Sequence, residues 1–299
     1  MRFQRYDDVH AFYRDTNDVL MRDEARNLII LGNLLLGEAG EDKTGWRDPA
    51  NWFMAAVFDD AEPCGSPKLV ALMTLPHNLT LYEPDNRPNA AETDGTALDC
   101  LVEEIVKSGV ALPGITTESS LASRFATAYA ASAGGSFAVR QRQRIYELTR
   151  VNPEVPAVGE LRLARESDLS FLPYWFAGFD SDCFHRPFQL STESIERLRA
   201  GTATGSRYIL EDNSVPVSMA MINREMRTAC GVSYVYTPPY FRGRGYASAC
   251  VAGVSRLALE RGFSKCVLYT DLENPTSNDI YQKIGYTPIC DSLEIKFEA

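Results

Sequence analysis

The sequence has no apolar run that reaches the ~18 residues needed to span a bilayer. Its richest stretch, Leu28 to Leu36, is broken by Gly32 and Asn33. The first residues, Met1-Arg2-Phe3-Gln4-Arg5-Tyr6-Asp7-Asp8, lack the apolar core and small-residue cleavage site of a secretory signal, so cytoplasmic residence is the expectation. A basic excess is missing too. Residues 1–150 hold 15 basic and 22 acidic groups, net −7, and residues 151–299 hold 15 and 18, net −3, which together give −10. Neither half suits nucleic acid, where phosphates must be neutralised, and an acidic surface suits an anionic membrane poorly.

Metal and disulfide chemistry are equally poorly provided for. The seven cysteines (Cys64, Cys100, Cys183, Cys230, Cys250, Cys266, Cys290) are odd in number and none forms C-x-x-C, against both a disulfide framework and a zinc knuckle. They are expected to be small buried hydrophobes. His10, His77 and His185 show no ligand spacing, so no metal is expected. No local signature of a Ser/His/Asp or Cys/His triad is present, and neither G-x-G-x-x-G nor G-x-x-x-x-G-K-[ST] occurs in the context that would bind a dinucleotide or nucleotide triphosphate.

The composition is that of an ordinary globular protein, 45% hydrophobic and 23% charged with 20 Gly and 16 Pro. A length of 299 residues implies two domains at roughly 100–200 residues each. Val151-Asn152-Pro153-Glu154-Val155-Pro156-Ala157-Val158-Gly159 is the best linker. The division expected is 1–150 as an N-terminal accessory domain, 151–158 as linker and 159–299 as the second domain.

In the first half, Thr16-Asn17-Asp18 offers capping residues for a helix that carries Val19, Leu20, Ala25, Leu28, Ile29, Leu31 and Leu35, with Gly37 as its stop. Trp52–Phe58 and Leu69–Thr74 read as an antiparallel pair. A polar loop covers Glu83–Asp94, helices follow around Leu98–Ile105 and Leu121–Tyr129, and a strand lies within Phe137–Leu148. In the second half a strand, Leu161–Ala164, leads to a helix with Ser167 as its cap. An aromatic loop, Phe179–Phe188, and a helix near Ser191 come next. A hairpin, Arg207–Leu210 with Val215–Ile222, precedes a third strand, Thr228–Tyr236.

The informative chemistry follows that strand. Val235-Tyr236-Thr237 runs into two prolines, which end a sheet ladder because they lack a donor. Arg242-Gly243-Arg244-Gly245-Tyr246-Ala247-Ser248 comes next, and then Tyr246, Cys250, Val254, Leu257 and Ala258 share one helical face. A strand, a glycine turn and a helix start present unpaired N–H groups and the positive end of a helix dipole to an anion. Gly243 and Gly245 allow close approach, and Arg242 and Arg244 add charge. Farther on, Lys265–Thr270 reads as a strand. Asn274 suits an N-cap, Pro275 the first helical position and Gly285 a left-handed stop, which gives a short helix with Tyr281 on it. Tyr281 lies seven residues after Asn274, nearly two turns, so both face one side.

Arg242-x-x-Gly245-x-Ala247 resembles the (Gln/Arg)-x-x-Gly-x-(Gly/Ala) acyl-CoA loop of the GNAT superfamily of N-acetyltransferases, and Asn274 with Tyr281 resembles that family's second motif. The resemblance covers roughly residues 158–299 and is nearest to the FR47-like branch. It implies a mixed, mostly antiparallel twisted sheet flanked by helices, an α/β (α+β) fold. The order of elements in the first half is compatible with a second, degenerate copy that lacks the loop and binds no acyl-CoA.

The same resemblance implies acetyl transfer from acetyl-CoA to a small-molecule or peptide amine. Val235, Tyr236 and Thr237 would hold the pantetheine arm through their backbone. The N–H groups of Gly243, Arg244, Gly245, Tyr246, Ala247 and Ser248 would take the pyrophosphate. Asn274 would help hold the cofactor, and Tyr281 would protonate the departing thiolate. It leaves a homodimer open and does not supply the base. Asp271, Glu273 and Glu225 are within the right region, though solvated loop acids are the plainer reading of the first two. Asp180, Asp182, Phe184, His185 and Phe188 would line the acceptor side. Two other classes stay open at this point: a sensor or scaffold that binds acetyl-CoA without turnover, and an interaction protein whose arginine turn is only structural.

Overall fold

The computed structural model describes residues 1–40, 47–62, 65–84, 95–184 and 191–298. Cys64, His185 and Phe188, and the greater part of the Glu83–Asp94 loop, lie outside the described residues. The chain divides into two compact units, Met1–Ile145 with Ile289–Ala299, and Tyr146–Pro288.

The sequence lays down the same ten elements twice among the described residues. The first pass is β1 (Arg2–Tyr6), α1 (Val9–Leu20), α2 (Leu28–Ala39), β2 (Trp52–Phe58), β3 (Leu69–Thr74), β4 (Thr80–Tyr82), α3 (Thr96–Ser108), β5 (Gly114–Glu118), α4 (Ser119–Ala133) and β6 (Ser136–Leu148). The second is β7 (Glu160–Leu163), α5 (Leu172–Phe184), α6 (Thr192–Ala203), β8 (Arg207–Asp212), β9 (Val215–Asn223), β10 (Ala229–Tyr236), α7 (Tyr246–Glu260), β11 (Lys265–Asp271), α8 (Pro275–Ile284) and β12 (Thr287–Glu298).

In the first unit β1-β2-β3-β4 form an antiparallel sheet, with Ala55 opposite Ala71. β2 and β3 are buried on both faces, which explains their unbroken apolar runs. The helix expected to start at Thr16-Asn17-Asp18 is two helices. Asp8 caps α1 by accepting from the His10 N–H, and the Thr16 hydroxyl turns back to the Phe12 carbonyl inside that helix at 2.7 Å. Gly37 is not the stop. It lies within α2, where a Cβ would stand 2.7 Å from the Trp52 ring, and Gly40 at φ +62° ends the helix.

The second unit is a sheet with two working faces. One packs on α7 and α8 through Tyr208, Leu210, Ile222, Cys230, Cys266 and Leu268. The other packs on α5 through Ile209 and Met219. β8, β9 and β10 are antiparallel neighbours and β10 runs parallel to β11. β7 is tied by Arg162, whose guanidinium pairs with Asp168 at 2.6 Å and with Glu211 at 2.6 Å.

β12 from Ile289 onward groups with the first unit, where it pairs antiparallel with β5. Three further expectations are corrected. The 151–158 segment is not a free connection. Val151 and Val155 join the second core, and the Asn152 N–H bonds the Ile284 carbonyl at 2.7 Å. The Phe179–Phe188 stretch is helical as far as Phe184, and Ser167 caps nothing, since a 3-10 turn over Glu166–Ser170 precedes α5.

Candidate functional site

The parallel ladder between β10 and β11 has three register pairs, Ala229 with Lys265, Cys230 with Cys266 and Gly231 with Val267. Both strands then run on, to Tyr236 and Asp271, without further pairing to each other. The register between the two strands thus ends at Gly231 and Val267, and a notch opens at the carboxyl ends of two parallel strands. Ligands in open α/β sheets collect at this position.

A bulge shapes one wall of the notch. The β9 register shifts between Ser233 and Tyr236, and Tyr234 sits at φ +51°, a region uncommon for a bulky residue. An extra residue at this point bends the strand and redirects its amides. Val235 faces the α7 core, whereas Tyr236 packs with the aromatic residues of α5. The end of the strand is pinned from beneath. The buried Ser218 hydroxyl bonds the Tyr236 carbonyl at 3.1 Å and the Thr237 hydroxyl at 2.9 Å.

Gly243 at φ +75° and Gly245 at φ +81° lie on the loop beyond. Both are exposed, and a Cβ added at either meets nothing within 4 Å, so open space rather than packing lies in front of them. Gly245 is the N-cap of α7 and, having no side chain, caps nothing. The first intrahelical bond of α7 runs from the Ala249 N–H to the Gly245 carbonyl at 3.0 Å. The N–H groups of Tyr246, Ala247 and Ser248 precede it, and no acid stands in the first turn to repel an anion. The Tyr246 side chain is buried in the core and anchors the helix start by donating to Asp212.

Arg242 is placed differently from a simple phosphate ligand. Its Nε donates to the Thr237 carbonyl at 2.9 Å, another guanidinium nitrogen donates to Asp182 on α5, and its Cζ lies 5.7 Å from the Tyr236 ring centroid. It joins the loop, the strand end and α5. Arg244 is exposed beside the glycines.

Tyr281 lies on α8 and belongs to the core beneath α7. It is 8% exposed, packed between Tyr146 and Tyr286 with ring centroids at 6.4 and 5.9 Å. Burial, with a smaller contribution from the nearby Cys183 thiol, pushes its phenol well above the ordinary tyrosine value, so it stays protonated. Cys183 is itself pushed up to about 11 by burial and by Asp182 and Asp180. Asn274 is committed to its own helix: its Oδ1 accepts from the Ser277 N–H at 3.0 Å, and it is exposed.

The acids offered as bases are engaged elsewhere. Glu225 pairs with Arg261 at 2.7 Å. The Asp271 carboxylate accepts from the Glu273 N–H at 2.8 Å within its own turn, and Glu273 is exposed. Asp182 holds Arg242. No local signal marks the Tyr234 bulge, since tyrosine is not a residue expected at positive φ. Among the described residues no cluster of three or more His, Cys, Asp or Glu is placed to hold a metal.

The first unit repeats these parts in a closed form. α3 also starts from a glycine, Gly95 at φ +75°, but Asp99 stands in its first turn. Between β4 and β5 the Thr117 hydroxyl bonds the Leu81 carbonyl at 2.6 Å, and Asn78 bonds Thr116 at 3.0 Å. With the backbone bridge between Leu79 and Ile115, these bonds link β4 and β5.

Comparison with known proteins gives a family match and several likenesses of fold. Residues 171–286 match the model of the acetyltransferase (GNAT) family. Over the whole chain the fold is similar to that of a Drosophila protein (13% identity, 99% of this chain and 98% of the other, TM-score 0.65). It is similar also to a GCN5-related N-acetyltransferase from Sphaerobacter thermophilus (16%, 99% and 95%, TM-score 0.59) and to a GNAT-family acetyltransferase from Colwellia psychrerythraea (10%, 100% and 99%, TM-score 0.52). No curated protein matches the sequence. The open strand notch, the glycine-led helix start and the buried Tyr281 all fall inside residues 171–286, the part of the chain that matches the acetyltransferase (GNAT) family.

Proposed function

We propose that the second unit transfers an acetyl group from acetyl-CoA to an amine. The observation that carries this reading is the uncapped, exposed start of α7 at Gly245, set beside two parallel strands whose pairing has ended. The parts fit the group: amide donors without side-chain caps suit a pyrophosphate, and the backbone of two strands that no longer pair with each other suits the amides of a pantetheine arm. The N–H groups of Gly243–Ser248 hold the phosphates, and the backbone of Val235, Tyr236 and Thr237 holds the arm. Asn274 contributes by setting the start of α8, which carries Tyr281.

Acetyl-CoA, when bound, supplies a thioester carbonyl and a thiolate leaving group. The chain orients that carbonyl against the bulged strand, whose redirected amides stabilise charge developing on its oxygen. Tyr281 delivers a proton to the leaving sulfur. A phenol of ordinary pKa ~10 protonates a thiol of pKa ~8.5 only uphill, and burial of Tyr281 raises its pKa further. The transfer is driven by the same burial acting on the thiolate, which is costlier still to leave charged in an apolar setting. No carboxylate is assigned as base. The attacking amine gives its proton to water, and the acceptor is a small-molecule or peptide amine of the cytoplasm.

Calorimetric titration with acetyl-CoA, followed by a thiol-release assay over an amine panel, tests the reading. Saturable binding and amine-dependent release of CoA are expected. Binding without release for any amine would favour a sensor, and no binding would defeat the reading. The titration is also expected to give one acetyl-CoA per chain, because in the first unit Asp99 stands in the first turn of α3 and Thr117 bonds across to Leu81. A stoichiometry of two would contradict that assignment.

A further inference from the structure

The face of the second sheet that meets α5 carries charge that the reaction does not use. Strand alternation places Arg207 on β8, Met221 and Asn223 on β9 and Ser233 on β10 on that face. Arg207 pairs with Met221, and Met221 with Ser233. Tyr269 on β11 shares the face, since Cys266 and Leu268 point to the α7 core. Arg224 follows directly, at the end of β9, with φ +45°.

Both arginines are costly where they are. Their Nε atoms are screened from solvent and lack a hydrogen-bond partner among the described residues, as does the Asn223 Oδ1. Arg207 spends part of its guanidinium on the Leu198 carbonyl and the Thr202 hydroxyl and lies 5.2 Å from the Phe176 ring centroid. Among the described residues neither Arg207 nor Arg224 pairs with a carboxylate. Nearby Glu225 is held by Arg261. What faces them is phenolic: Tyr234 is within electrostatic reach of both arginines and Tyr269 of Arg224. Burial lowers the basicity of both guanidinium groups. A buried charge without a counter-ion is unfavourable, and two cations with two hydroxyl donors make a setting for an anion.

The position is also informative. Asn223 is opposite Gly231, the last residue of β10 paired to β11, so Arg224 lies toward the closed end of the notch. Tyr234 lies toward the open end, nearer Thr237. Phe176 and Phe179 each pack tilted against Tyr234 with ring centroids at 4.9 Å and wall this space with apolar surface. A molecule anchored at Arg224 would extend toward the reacting carbonyl.

We propose that the acceptor is an amine that also bears a carboxylate, as an amino acid does, and that its carboxylate docks on Arg224 with the hydroxyls of Tyr234 and Tyr269. This rests on the acetyl-transfer reading. The test uses the full chain with acetyl-CoA and matched acceptors, namely glycine against methylamine, methionine against 3-(methylthio)propylamine, phenylalanine against phenethylamine and lysine against cadaverine. The carboxylate-bearing member of at least one pair is expected to be turned over with the lower KM. Arg224→Gln is expected to raise that KM by roughly tenfold to a hundredfold, the loss of a hydrogen bond to a charged group, and to leave kcat and acetyl-CoA affinity nearly unchanged. Arg224→Lys is expected to recover part of the loss. Tyr269→Phe gives a second, smaller rise in KM should the arginine variants fail to fold.

A readout independent of turnover is the melting temperature with CoA present. The N-acetyl amino acid of the preferred pair is expected to raise it more than the matching N-alkylacetamide, and Arg224→Gln to erase the difference. Equal or better turnover of the decarboxylated amines would overturn the proposal while leaving acetyl transfer intact. So would an unmoved KM in Arg224→Gln, or acetyl-CoA binding with no acceptor used. Failure of acetyl-CoA to bind at all would instead remove the reading beneath it.

Discussion

Replacing Tyr281 with phenylalanine is expected to lower kcat by about a hundredfold or more, the scale of a lost general acid, and to leave acetyl-CoA affinity unchanged. The ring is what packs, between Tyr146 and Tyr286, and phenylalanine keeps it. The melting temperature should therefore hold within about a degree or two, as for a substitution that conserves buried volume. The pH profile carries the sign. Because the folded-state pKa of Tyr281 lies above the ordinary value, the hydroxyl keeps its proton as pH rises through the range where a solvent-exposed tyrosine would lose it. The rate should climb with pH as the acceptor amine becomes neutral, with no fall from Tyr281 before pH ~10. A falling limb at lower pH that disappears in Tyr281→Phe would contradict the assignment. So would a parent-like rate in that variant.

Gly245→Val should reduce acetyl-CoA affinity by at least about a hundredfold. At φ +81° a β-branched residue is strongly disfavoured, so the turn must rearrange and carry the first amides of α7 with it. The surroundings do not oppose a side chain, since a Cβ there touches nothing within 4 Å. The effect is thus conformational. Gly245→Asn provides the control, because asparagine tolerates the left-handed region. Measurable binding is expected from Gly245→Asn and none from Gly245→Val, with similar melting temperatures. Equal affinities in the two variants would show that the conformation of Gly245 does not matter for binding.

Local chemistry made the loop and the α8 helix readable. Gly243 and Gly245 occupy left-handed conformations that few other residues accept, and Asn274, Pro275 and Gly285 each mark a helix end. These are properties of a few neighbouring residues, so a sequence displays them. The parts that depend on distant neighbours did not show. Gly178, Asp180 and Ser181 look like loop residues, yet they lie inside α5. Gly178 is there because a Cβ would stand 2.2 Å from the Tyr236 hydroxyl. Val151 and Val155 were masked by the prolines around them, although both are buried in the second core. The positive φ of Tyr234 and the burial of Arg224 arise from where strands stop pairing, which no local spacing encodes. The destination of β12 is a matter of topology, and its pattern of residues would fit either unit.

The amide groups of Gly243–Ser248 themselves offer the most direct examination of the account. In a 15N-resolved NMR titration of the 33.3 kDa chain with CoA, those amides should shift most and saturate together, with Val235–Thr237 following at the same midpoint. If CoA binds while the Gly243–Ser248 resonances stay in place, the phosphates are held elsewhere and the site described for this domain is wrong.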